Sequence, residues 1–403
     1  MLYHSWCSRA KAAGRRQPPA DSEPRPEEAV AAHLRRKIAT IGSMKRTRRW
    51  FMFAAPAACL ADKTKPVPSA YFHYKDPSTE FPVVRLTDPG FTSLLPAHYG
   101  RAVSRKGAFL LYASESPGRM EAFRMEAKTG VSHQLTEQEE LDPASLTLAA
   151  DERSFCCVAA GKLLSVNLGN GKVREVYRIS EGFEHGSGMS LAEDGLYASL
   201  IERKGPTYRL RLIRMLDGAA TTLAETQQEL RDPILRPRRA SVLYSREGGW
   251  WLANYDGQQN YRLRLAEGEG GPANWSPDGR SVLYLNYPAD RRRLHNIREF
   301  IPDTNEDSGL GDTTQYVAFE RNGDASVFIG ASGSKASPHV LLLVRAVKRE
   351  LILCEHRASD PHMVSPIFSP NSLSVFFVSD QHGKPAIYSM AVEKFVSETD
   401  STQ

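Results

Sequence analysis

Several side chains capable of chemistry stand just ahead of a recurring turn-and-strand phrase. They are His98, Tyr99 and Arg101; Glu184 and His185; Arg231 and Asp232; Asn274; Gln315; and Asp360 and His362. If those strands ring one axis, the residues ahead of them converge on a polar site, with Trp275 near enough to stack on a sugar ring. The expected ligand-binding set is therefore His98, Tyr99, Arg101, His185, Asp232, Asn274, Arg298 and Gln315. A divalent cation would look to Asp360 and His362, with His356 as a further donor, because carboxylate and imidazole suit such ions. Two other patterns argue against themselves. Glu184-His185-Gly186-Ser187-Gly188 lacks the strand-turn-helix setting of a nucleophile elbow. Asp303-Thr304-Asn305-Glu306-Asp307 lacks the glycine and closing glutamate of an EF-hand loop. It reads as a solvated loop compensating Arg291–Arg293 and Arg298, although those arginines could also meet an acidic ligand at the mouth of a central tunnel.

The elements that must position these residues are repeats. The clearest phrase is WSPDGRSVLYL, Trp275 to Leu285, a polar turn followed by β-prone residues. Weaker copies start at Ser104, Ala149, Ala192, Arg236, Glu320 and Ser369. Taking the fourth turn position gives 107, 152, 195, 239, 279, 323 and 372, in steps of 45, 43, 44, 40, 44 and 49. Pro277 pre-sets the first corner, Asp278 can bond nearby backbone, and Gly279 tolerates positive φ. The apolar run behind the turn does not alternate, which suits a strand buried on both faces. A second phrase follows with alternation, a glycine turn and alternation again, as in KLLSVNLGNGKVREVY, Lys162 to Tyr177. That is a hairpin, so each repeat supplies four strands.

Repeats of this length predict an all-β, seven-bladed β-propeller of four-stranded blades over residues 81–394. The last copy, with Ala386 to Ala391 as its third strand, lacks a fourth; PVVRLTD, Pro82 to Asp88, matches the missing piece. The N-terminal strand is thus expected to close the ring in the final blade and remove a sheet edge.

Charge and composition narrow the partners. Residues 1–65 hold 14 Lys+Arg and 5 Asp+Glu, so the whole-chain net of +5 becomes −4 for the remainder. An acidic body speaks against nucleic acid as a partner. Five cysteines are too few for a disulfide framework, and adjacent Cys156 and Cys157 should point to opposite faces as buried thiols. Residues 1–43 read as a disordered or mis-assigned extension ahead of a second possible start, Met44. Residues 44–61, MKRTRRWFMFAAPAACLA, have the layout of a twin-arginine-type export signal around Arg48-Arg49. Cleavage would follow Ala57, Ala58 or Ala61, with Cys59 faintly resembling a lipid-attachment site. The expected location is the periplasm or cell envelope, with no span in the mature chain. Residues 62–80 read as a linker and 395–403 as a tail.

FSPNSLSVFFVSDQHGKPAIYSM, Phe368 to Met390, resembles the last blade of oligogalacturonate lyases and, more loosely, the TolB-type propeller repeat. With VVRLT at the start and WSPDG in the middle, the resemblance extends over residues 81–394. It implies a seven-bladed propeller that cleaves short acidic oligosaccharides from pectin by β-elimination. A divalent metal such as manganese would bind the uronate carboxylate and a neutral histidine would remove the proton at C5. Carried over residue by residue, the histidine base falls on Pro272 and the first metal histidine on Tyr316 beside Gln315. The other metal ligands fall on Asp360, Met363 and Ser365, with His362 one place away. The substrate arginine has no counterpart near Gly248 to Trp251. Most catalytic positions are thus replaced on a retained scaffold. Two readings follow: a propeller that binds or eliminates acidic oligosaccharides, and a non-catalytic propeller that binds a protein or envelope partner.

Overall fold

Each turn-and-strand phrase becomes the first hairpin of a sheet. The computed structural model describes residues 65–116, 118–290 and 292–395; the expected extension and export signal lie outside them. Six sheets have four strands in chain order, over residues 93–134, 147–178, 184–226, 230–262, 269–313 and 316–355. The seventh begins with Ile367–Phe368, Ser374–Ser379 and Ala386–Ala391. Pro82–Arg85 then pairs antiparallel with Ala386–Ala391, Val84 facing Ser389 and Arg85 facing Tyr388. This seam joins the two ends of the propeller, as the missing fourth strand required. One strand more than expected is present: Phe72–Lys75, inside the stretch read as linker, pairs with Pro82–Arg85 and makes this blade five-stranded.

The turns explain the repeat. Gly107, Gly195 and Gly279 adopt positive φ at the fourth turn position, and so do Glu152 and Ser372. In the sixth blade the bond from Asn322 N to Val327 O shows that Ala325, not residue 323, holds that position, with φ of 60°. The glycine at 323 had suggested the wrong corner. In the fourth blade Arg238 carries the positive φ instead of Arg239, a second departure from the shared turn.

The apolar runs are continuous because neighbouring blades pack against both faces. Leu111 and Ala113 pack toward the second blade, with Leu146 and Phe155. Leu110 and Tyr112 pack toward the seventh, with Ile367 and Ile387. Equivalent clusters fill each of the other five junctions around the ring. Cys156 and Cys157 duly face opposite junctions, and burial raises both thiols, Cys156 to about 12. Trp275 is 1% exposed between the fourth and fifth blades, its indole under the Arg236 guanidinium. That corrects the expectation that it stacks on a sugar. Among the described residues no helix is long and apolar enough to cross a membrane.

Candidate functional site

The first strand of the first blade breaks after Leu94, and the chain rejoins the sheet only at the Val103–Leu110 bridge. The segment between reaches across to other blades. Ala97 N donates to Ala144 O, and Leu148 N donates to Arg101 O, both on the way into or in the second blade. His98 Nε2 lies 2.8 Å from Ala273 O in the fifth blade, so that nitrogen carries the proton. The Tyr99 hydroxyl engages Asp232 of the fourth blade. It also rests against Gly188 of the third, where an added Cβ would lie 2.4 Å from Tyr99 Oη. Gly188 has φ of +66°, so both its backbone and its missing side chain are needed there. One short segment thus ties four other blades around the axis.

A second set of contacts supports it. Asp142 caps the short turn Pro143–Ser145, its Oδ1 accepting from Ala144 N. Its Oδ2 accepts from Gly188 N at 2.7 Å and from His185 Nε2 at 2.9 Å. Burial pushes the Asp142 carboxyl up, but the His185 ring and two backbone N–H groups outweigh it and hold it below its ordinary value. His185 Nδ1 is buried with no hydrogen-bond partner, so the carboxylate-oriented ring keeps one nitrogen unengaged. Burial instead raises the Asp232 carboxyl, against the opposing influence of His98, Arg231 and Tyr99. Burial, with the charges of Asp232 and Asp142, raises Tyr99 well above its ordinary value.

On the side of the turns, a cavity of ≈ 570 Å³ is lined from five blades. Arg101, Arg105, Glu193, Glu320 and Arg321 bring charge to it. Only a position on the ring's axis collects the first strands and turns of so many blades. Arg101 pairs with Glu152 at 3.1 Å. Arg321 donates to two backbone carbonyls, Trp275 O at 2.7 Å and Asn322 O at 3.1 Å. Glu320 accepts from Phe368 N, and burial raises its carboxyl to about 7 against the pull of Arg321. A carboxyl raised in this way compensates the Arg321 charge less than an ordinary glutamate would.

The remaining expected residues are dispersed. Asn274 Oδ1 accepts from the adjacent Trp275 N, and Gln315 is exposed at a backbone with φ of 50°. Arg298 is not at the tunnel mouth: on an outer strand it pairs with Asp307 at 2.7 Å, while Tyr284 donates to the same carboxylate. Asp303 pairs with Arg239 and lies 3.6 Å from Arg236, so the acidic loop compensates cations of the preceding blade. Sequence reasoning missed Asp142, Glu193, Glu320 and Arg321. Asp142-Pro143 carried a capping signal, but nothing local marked the carboxylate as a contact between blades.

The residues at the implied metal positions do not fit a metal. Tyr316 is fully buried in the junction between the fifth and sixth blades, its ring over Gly330. Asp360 and His362 are exposed, and Asp360 Oδ1 accepts from His362 N in the turn Pro361–Val364. Met363 packs on a neighbouring apolar cluster. His356 is buried with Nε2 on Ser332 O, and burial lowers it. Among the described residues no group of three or more His, Cys, Asp or Glu could hold a metal ion. Among the described residues Asp360 and His362, expected as ligands, therefore have no third donor, because the fold sends His356 inward.

The sequence matches no family model. It is 24% identical to the oligogalacturonide lyase of Pectobacterium atrosepticum, over 81% of this chain and 97% of that protein. An oligogalacturonate lyase solved in complex with manganese superposes with a TM-score of 0.76, at 24% identity, over 81% of this chain and 97% of that one. The oligogalacturonate lyase from Vibrio parahaemolyticus gives 0.75 at 24% identity, covering 81% of this chain and 98% of that one. The chain resembles the oligogalacturonate lyases. The likeness spans the whole propeller and establishes a seven-bladed ring. The positions at which the resemblance places metal ligands, Tyr316, Asp360, Met363 and Ser365, assemble no metal site among the described residues.

Proposed function

We propose that this oligogalacturonate-lyase-like propeller binds an acidic oligosaccharide in its axial cavity without metal-assisted elimination. The observation that carries the reading is the pair Arg105 and Arg321 on that cavity. Arg321 is bonded to neutral carbonyls, and Arg105 has no ion pair among the described residues. A guanidinium without a fixed carboxylate partner suits a uronate, which can take two parallel N–H bonds. Replacement of the metal donors at Tyr316, Met363 and Ser365 supports binding over elimination.

Calorimetry with digalacturonate, with and without manganese, tests this. Binding that needs no metal and weakens about tenfold in Arg105→Gln is expected, with no rise in ultraviolet absorbance from an unsaturated product. Product formation would overturn the non-catalytic part, and its loss in His185→Asn would then place the base at the ring held by Asp142. Absence of binding would overturn the whole reading and favour a protein partner. We also infer export by the twin-arginine route through residues 44–61. Replacing Arg48 and Arg49 by lysine should then retain the protein in the cytoplasm on cell fractionation; unchanged export would refute it.

A further inference from the structure

Away from the axis, a cleft of ≈ 460 Å³ opens between the fourth and fifth blades, within the size of ordinary small-molecule sites. Its walls are the Gly248-Gly249 turn, the link from Arg262 to Gly268, and Tyr284 and Asn286. Three features mark it as built for a ligand. Asn286 is 4% exposed, lines the cleft, and its Oδ1 has no hydrogen-bond partner. A buried amide oxygen left unbonded is costly, so a donor is expected to meet it. Arg262 and Arg264 also line the cleft and are exposed, and neither has an ion pair or side-chain hydrogen bond among the described residues. The Arg262 guanidinium is held over a bare backbone: a Cβ at Gly249 would lie 2.8 Å from its Nε. Glu267 is the carboxylate on the lining, which leaves the two guanidiniums in excess.

Two cations beside one acceptor call for a ligand that is anionic and also donates. A simple carboxylate lacks the donor, and a neutral sugar lacks the charge. We propose that this cleft is a second saccharide site that takes a single hexuronate unit. Its carboxylate meets Arg262 and Arg264, and a ring hydroxyl donates to Asn286 Oδ1. The chemical class is read from the cleft; the choice of galacturonate as probe rests on the proposed function.

Trp250 reports on the site directly. It lines the cleft, and its Nε1–H donates to Gly271 O at 2.9 Å. In the full-length protein, D-galacturonate should shift the Trp250 indole N–H resonance, assigned by its loss in W250F. Galactose and acetate should leave it unmoved at equal concentration. The double variant R262Q/R264Q should weaken the response at least tenfold. Gly249→Ala, which displaces the guanidinium without removing its charge, should weaken it about threefold. A silent Trp250 resonance, an equal response to galactose, or an unchanged response in R262Q/R264Q overturns the proposal. Uronate binding that Arg105→Gln abolishes while Trp250 stays silent would sink this site and leave the axial reading standing. A Trp250 response with no effect of Arg105→Gln would do the reverse.

Discussion

Polar residues of the first five blades and the expected metal residues of the last two are treated in opposite ways. In the first five blades the polar residues are bonded to one another across blade boundaries: His98 to Ala273, Tyr99 to Asp232, and Asp142 to both His185 and Gly188. In the sixth and seventh blades Arg321 and Glu320 also bond across blade boundaries, to Trp275 O and from Phe368 N, but the expected metal residues do not converge. Tyr316 lies in an apolar junction, while Asp360 and His362 face solvent. A buried polar group must be satisfied, so the first set is held by the fold itself. An exposed pair has no such constraint, and the ring closes equally well without a metal there. Polarity near a propeller axis therefore marks either a ligand site or a joint between blades, and hydrogen-bond partners tell them apart.

The largest effect should come from the joint. Tyr99→Ala removes the side chain that joins Gly188 of the third blade to Asp232 of the fourth and is expected to cost about 3 kcal/mol, as emptied aromatic sites do. A melting temperature close to that of the parent would show that the segment crossing the axis is not structural. Asp142→Ala comes next, at about 2–3 kcal/mol, because it leaves His185 and the Gly188 N–H without their acceptor. The wild-type contribution has a definite sign. The Asp142 carboxyl is held below its ordinary value of 3.8, so its stabilisation is present at neutral pH and is lost as acid protonates it. Urea titrations from pH 7 down to pH 2 should therefore converge for parent and variant at the acid end.

Glu320 has the opposite sign. Its folded-state value, about 7, lies above the ordinary 4.5, so the folded protein binds the extra proton. Stability should fall as pH rises from about 4.5 to about 7 and then level off. Glu320→Gln should flatten that slope. Since the carboxyl lines a water-reached cavity, a gain of only about 1–2 kcal/mol is expected at pH 8. The same ionisation should weaken uronate binding above pH 7, and a pH-independent affinity would separate Glu320 from the ligand. The smallest effect belongs to the exposed pair. Asp360→Ala loses a turn cap, worth about 0.5–1 kcal/mol, and should leave the thermal response to manganese unchanged. A manganese-dependent stabilisation that vanishes in this variant would erase the contrast between the two sets.

The legible parts of the sequence were those where physics acts locally. The turn at Gly279 needed positive φ, and the run Val282 to Leu285 lacked polar alternation because two blades cover it. The absence of a fourth strand after Ala391 required one from the N-terminal side, and Pro82–Arg85 supplies it. Local reading failed at Ala325, where a nearby glycine at 323 masked the true corner, and at Phe72–Lys75, whose partner strand also came from the seam. It also failed at Trp275, which sequence alone could not distinguish from a stacking platform.

By itself, then, the sequence determined the repeat and the ring, because each depends on residue type at a fixed spacing. Only the tertiary structure decided which polar residues are joints and which remain open to a ligand. Asp142 and His185 are 43 positions apart, and Asn286 and Arg262 line one cleft from adjacent blades. Contacts between blades set whether a charge is satisfied, and no local pattern encodes them.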